Sequence, residues 1–395
     1  LFRALVAPEL SIELFIPPLV LLPLLGMTDK TIFLASRAEH YYTALVCFMF
    51  VDDWLPASKL VWVAIWMWAA TSKLNHHFPS VVAVMQSNSP LTQFGPIRKL
   101  LYKSYPDDLR PSRLTHFLAH AGTVTEYVFP IALVLSDGGT VTVVALAVMV
   151  GFHTFITSSI PMGVPIEWNV IMVYGAFVLF GHYADVNAFS VSAPLLIAYL
   201  AFALVAVPLF GNLFPSKASF LCSMRYYAGN WAYSVWLFRG DASKKLDEKL
   251  TKAAATLPVQ LGKFLDEETI IATTSKVLGF RSMHLHGRCL QQLLPKAVDD
   301  IDAYEYVDGE LVAGIVIGWN FGDGHLHNMD LLRAVQAECQ FEEGELRCIF
   351  VESQPMGRAT HSWTIADAAT GVRDTGKIRV KDLLELQPWP AAAEG

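Results

Sequence analysis

The stretch Trp66-Met67-Trp68-Ala69-Ala70-Thr71-Ser72-Lys73-Leu74-Asn75-His76-His77-Phe78-Pro79 decides how the rest of the chain is read. It ends an apolar, tryptophan-rich run with a lysine, an asparagine and two histidines ahead of a proline. A lysine in this place can snorkel to the headgroups and anchor the helix. It can also be functional, because ionisable groups at membrane depth are costly and are kept for a reason. With imidazoles at i+3 and i+4, Lys73 gathers three proton-carrying groups on one helical face. The two readings separate by experiment. For an anchor, Lys73→Arg is silent; for a base facing the bundle interior, it abolishes turnover, and Lys73→Met does so with little loss of stability.

Working outward, 395 residues with 53% hydrophobic and 16% charged side chains, and a mean hydropathy of +0.40, define an integral membrane protein with a soluble part. A net charge of −7 argues against nucleic acid as a partner. The five cysteines are scattered without a C-x-x-C, so neither a disulfide framework nor a zinc ribbon is indicated. The chain opens on Leu1 and runs straight into apolar sequence, which reads as the remainder of a longer protein.

Apolar runs at 10–27, 40–50, 57–72, 114–135, 140–160, 168–183 and 192–214 predict an α-helical integral membrane bundle of about seven spans over 1–215. Interfacial and linker helices follow over 216–257, with an aromatic, basic stretch at 224–239. A soluble cytoplasmic α/β domain follows over 258–395. The segment 96–103 reads as a short basic surface helix. No lysine or arginine lies between Arg113 and Lys217, while basic residues gather in 28–39, 95–113 and after 217. The positive-inside rule then puts those loops and the C-terminal domain in the cytoplasm of a bacterial inner membrane. Four helices between 113 and 217 return the chain to the same side.

This topology places six of the seven membrane-domain histidines in one leaflet: His40, His76, His77, His116, His120 and His153. His182 falls near the outer face, and Glu126 lies about three turns past His116. The candidate catalytic set is Lys73, His76, His116, His120 and Glu126, with a base working near neutrality. The candidate metal set is His76, His77, His116, His120 and His153, with a carboxylate in support. The His116-x3-His120 and His76-His77 pairs resemble part of the histidine boxes of membrane di-iron desaturases, although no H-x-x-H-H box is present. His153 and His182 are candidate cofactor ligands of a tetrapyrrole type; a quinone or a histidine-bound metal are the other cofactors considered. The expected partners are membrane lipids and, on a non-enzymatic reading, other subunits of a larger membrane complex in which the chain is an accessory or scaffold holding lipid or pigment.

The segment 69–75 followed by Phe78 resembles the membrane motif of the vitamin K-dependent gamma-carboxylase superfamily, whose bacterial relatives are often called horizontally transferred transmembrane (HTTM) proteins. That motif is a small-residue turn, then Lys-Leu-Asp or Lys-Leu-Asn, then an aromatic. The resemblance implies for Lys73 the role of the motif lysine, deprotonation of a quinol. Asn75 stands where Asp is common, His76-His77 is an addition, and Lys73 falls on the cytoplasmic side, so carboxylation is not implied. Over its whole length the chain is similar to an uncharacterised family of bacterial multi-pass proteins, which implies architecture and no function. The leading expectation is an enzyme acting on a lipid or quinone at the cytoplasmic leaflet.

In the C-terminal part, Asp308-Gly309 between apolar runs predicts a hairpin. Asn328 caps a helix to Cys339, 346–352 is a strand, and 363–367 with 377–380 form a hairpin around Thr370-Gly371. The pairs His284/His286 and His325/His327 would each share a face on a strand and could chelate, and the second pair beside a helix start could hold an anion. No Walker loop, G-x-G-x-x-G or G-x-S-x-G occurs, which argues against nucleotide binding and serine-hydrolase chemistry.

Overall fold

The computed structural model describes residues 2–8, 11–35, 38–159, 166–218, 228–318 and 324–388. Met224–Tyr227 of the aromatic stretch and the side chain of His40 lie outside what is described. The seven-span bundle is not what forms. Among the described residues three helices are long and apolar enough to cross a membrane: α4 (Arg113–Leu135), α5 (Gly139–Thr157) and α6, the helical run Pro194–Leu213. These labels follow α1 (Ala38–Phe48), α2 (Trp54–Ser72) and α3 (Phe78–Asn88). Length is what fails in the others. At about 1.5 Å per residue, the 11 residues of α1 reach roughly 17 Å against a hydrocarbon core of ~30 Å. Ile12–Thr28 and Ile166–His182 are apolar but likewise short. The 19-residue α2 is long enough, yet four tryptophans, Lys59 and the Ser/Thr at its ends lower its hydropathy, and much of it is buried inside the bundle.

Polar contacts mark the two ends of the bundle. At one, the Asp53 carboxylate accepts from the backbone N–H of Ser192 (3.0 Å) and Ala193 (2.7 Å), and Lys59 Nζ donates to the carbonyls of Tyr183 and Val186. The other holds Lys73, the start of α4 and the C-terminal domain. The parity count that returned residue 217 to the side of 95–113 falls with the span count. Direct contact replaces it: Arg110 Nη1 pairs with Glu385 at 2.9 Å, Gln387 bonds Leu109 N (3.0 Å) and Asp108 (2.9 Å), and Met356 N donates to Asn212 O.

The C-terminal domain is an antiparallel sheet. After the small hairpin β1 (Tyr102–Ser104) and β2 (Asp108–Pro111), its strands are β3 (Tyr233–Arg239), β4 (Tyr304–Asp308), β5 (Leu346–Val351), β6 (Thr360–Asp367) and β7 (Gly371–Arg379), in the order β4-β3-β5-β6-β7. Thus β3, which falls in the segment read as interfacial, is buried within the sheet. Its aromatic residues alternate for two cores rather than for lipid. Tyr233, Val235 and Leu237 face α7 (Leu285–Ala297). Trp236 and Phe238 face α8 (Gly309–Ile317) and α9 (Met329–Cys339). The hairpin around Thr370-Gly371 and the Asn328-capped helix form as expected.

Asp308-Gly309 does not turn a hairpin. Asp308 ends β4 and its carboxylate accepts from Glu310 N at 2.7 Å, capping α8. A Cβ on Gly309 would run into Ser234 Oγ and His327 Nδ1, so glycine serves close packing here. His284 and His286 flank the start of α7 rather than lying on a strand.

Candidate functional site

Helix α2 stops at Ser72, where Lys73 N turns back to Ala70 O (3.0 Å). The Asn75 side chain then accepts from His77 N at 2.7 Å, an Asx turn that leads the chain into α3 with Pro79 in its first turn. The turn splits the four polar groups of the motif. Lys73 points inward, 7% exposed, and pairs with Glu126 of α4, which is 3% exposed; its Nζ lies 5.0 Å from the Phe78 ring centroid. His76 points out, and His77 is buried against the C-terminal domain. The snorkelling anchor is therefore excluded, and so is a lone buried ammonium whose removal would leave the fold undisturbed.

The ion pair lies in the wall of a cavity of about 410 Å³. Ala69, Gly122, Phe152 and Trp168 contribute apolar surface from the bundle, and Trp231, Phe280 and His284 close it from the C-terminal domain. His153, also in the wall, is fully engaged: Trp66 Nε1 donates to its Nε2 at 2.8 Å, and its Nδ1 donates to Asn169 Oδ1 at 2.9 Å. One neutral tautomer is thereby set, with neither nitrogen left to ligate. Of the expected catalytic set, the structure brings Lys73 and Glu126 together and leaves His76, His116 and His120 exposed on the outside. His182 is exposed at the far end beside Tyr183. Among the described residues no three His, Cys, Asp or Glu stand where they could hold one metal ion, so the expected histidine ligand set is not assembled.

A second polar assembly lies behind the cavity. His77, His284, His286 and His361 are each 3% exposed or less and crowd the seam between bundle and sheet. The rings of His77 and His361 stand 5.0 Å apart and those of His284 and His286 5.6 Å apart, with Trp231 4.2 Å from His286. Burial holds all four below the ordinary imidazole range, His284 at about 3 and His361 at about 4. Beside them Arg281 pairs with Asp308 (3.0 Å) and Glu310, and Tyr233 OH donates to Asp308 at 2.7 Å. Burial pushes the Glu310 carboxyl up to about 7 against the pull of Arg281. His325 bonds Glu352 at 3.1 Å, and Ser234 Oγ meets His327 Nδ1 at 2.8 Å, so neither histidine is held open for an anion. Sequence reasoning picked out the two His-x-His pairs but missed His361, which no local pattern marks; its partner His77 lies far away in the chain.

Fold and cavity together define an integral membrane protein whose helical bundle carries a docked domain built on an antiparallel β-sheet rather than the expected α/β domain. The chain belongs to the family described as transmembrane protein of unknown function (DUF3556), whose profile matches residues 6–394. It matches no curated protein and no solved structure. The family assignment supplies membrane character and no tie to the gamma-carboxylase superfamily.

Proposed function

We propose that the protein binds a lipid or quinone molecule in the cavity and acts on it by acid–base chemistry at Lys73 and Glu126. The observation that carries this reading is a buried ion pair in a mainly apolar cavity wall. Burying two charges is not a route to stability, and an apolar pocket with few convergent polar groups is the usual form of a small-molecule site. Moving one proton from Lys73 to Glu126 converts ammonium and carboxylate to amine and carboxylic acid with no change in net charge. A base and an acid then stand side by side at the ligand. Lys73 also occupies the place of the motif lysine in the superfamily its segment resembles. His76, His116 and His120 take no part in this reading.

We place the cavity at the cytoplasmic leaflet. The end of the bundle that carries it also carries Arg98, Lys99, Lys103, Arg110 and Arg113, whereas Asp52, Asp137 and Asp185 lie in the other turns. The test is mass spectrometry of apolar molecules retained through detergent purification. One species should be enriched over bulk membrane lipid and fall about tenfold in Gly122→Trp, which fills the space beside Phe152. Lys73→Arg should retain that species and lose its conversion. Retention of bulk lipid alone, or identical retention by Gly122→Trp, would sink the reading.

A further inference from the structure

We propose that the buried histidines at the seam form an acid-operated latch: protonation of His77, His284 and His361 loosens the C-terminal domain from the bundle and opens the cavity wall that this domain supplies. The geometry carries the idea. His77 belongs to the bundle, and its Nε2–H donates to Gln354 Oε1 across the seam at 2.9 Å. His361, on β6, donates its Nδ1–H to Glu352 O at 2.7 Å. His284 donates its Nδ1–H to Phe280 O at 3.0 Å. These bonds leave His77 Nδ1 and His361 Nε2 buried with no hydrogen-bond partner, and both nitrogens of His286 are in the same state. A buried acceptor without a donor is a standing penalty. A proton added to His77 would be an uncompensated buried charge, which is worse.

Most of the surroundings repel such a charge. His76 adjoins His77 in the chain and adds like-charge repulsion there. Arg281, at the end of the Glu267–Met283 helix, faces His284 and His286, and Arg288 on α7 faces His284. Glu352, beside His361, is the carboxylate that favours protonation there. Arg281 is committed to Asp308 and Glu310. With His77 and His361 ring to ring, two protons at the seam repel across 5.0 Å.

The sign follows from the depressed values. An undocked histidine takes up a proton near its ordinary ~6.5, whereas the docked ones are held down to about 3 for His284, about 4 for His361 and well below the ordinary value for His77. Docking is therefore fully stabilised above pH ~6.5 and weakens progressively as pH falls below it. Between about pH 7.5 and about pH 5.5 each titrating histidine shifts the opening equilibrium by about tenfold, and three together by about a thousandfold. Because His284, Phe280 and Trp231 wall the cavity, opening the seam exposes it. That last link rests on the cavity being the binding site; the latch itself does not.

Hydrogen–deuterium exchange of the full-length protein in nanodiscs, without ligand and corrected for intrinsic rates, tests the latch. Peptides covering 76–85, 280–288 and 352–361 should lose protection steeply between those two pH values while sheet peptides 346–351 and 363–367 do not. In the double variant His77→Gln/His361→Gln the loss should shrink by about a hundredfold, the share of the two histidines removed. Equal protection of the seam at both pH values would overturn the proposal in the wild-type protein, whatever the variant does. So would a folded double variant with the wild-type response. A failed latch leaves ligand retention in the cavity untouched, so the two readings fail separately.

Discussion

Lys73 and Glu126 show what one residue contributes in its context. Read alone, Lys73 is either a snorkelling anchor or a base; paired with Glu126 inside the bundle it is half of a buried charge couple. Removing one member leaves the other charge uncompensated, at about 3–5 kcal/mol. Lys73→Met and Glu126→Leu should each lower thermal stability in detergent. The double variant should recover most of the loss, giving a clear interaction energy in a double-mutant cycle. Additive losses would mean the pair is not formed. The lysine was legible because an ionisable residue at a helix end is conspicuous. Its partner was less so, since a glutamate in an apolar helix can face any neighbour. The histidines misled for the same reason in reverse: the i, i+4 spacing of His116 and His120 puts both on one face without saying that this face is exposed.

Elements were readable where a local signal had one physical meaning. The α4 and α5 spans, the Asn328 cap and the Thr370-Gly371 hairpin follow from hydrophobic run length, a side-chain acceptor and a turn glycine. Signals with two meanings failed. Asp followed by Gly suits a tight turn, but it equally suits an N-cap followed by a first residue that must pack closely. The apolar run after Gly309 fits strand or helix. In β3, aromatic residues that suit a membrane interface alternate instead between two cores. The cap reading has a sharp consequence. Gly309→Ala should destabilise the domain by about 1–3 kcal/mol through overpacking against Ser234 and His327. An isolated I′ turn would lose stability through backbone strain at positive φ instead, and Gly309→Asn would then be tolerated better than alanine. Urea unfolding of the two variants side by side distinguishes them: asparagine, the bulkier residue, should be the worse.

At the scale of the whole molecule, the bundle and the sheet form one object joined through Arg110–Glu385, His77–Gln354 and Met356–Asn212. Those contacts require the 95–113 loop and the C-terminal domain to share one side of the membrane. A membrane-impermeant thiol reagent should label Ser104→Cys and Asp137→Cys from opposite sides, with Asp137→Cys reached from outside intact cells. Labelling of Ser104→Cys from outside would reverse the orientation. Neither the seam nor the cavity was legible in the sequence, because each is assembled from side chains more than a hundred residues apart and no local period records their meeting. The shared wall has a consequence for how the protein is made. Glu126 leaves the ribosome well before His284, and at ~5–20 residues per second this gap lasts roughly 8 to 32 s. Through that interval the charge pair can already be formed while one side of its pocket does not yet exist. Each new molecule therefore meets the membrane's own lipids as an open apolar groove, and on the proposed reading of the cavity its first ligand would have to enter before the last wall closes over it.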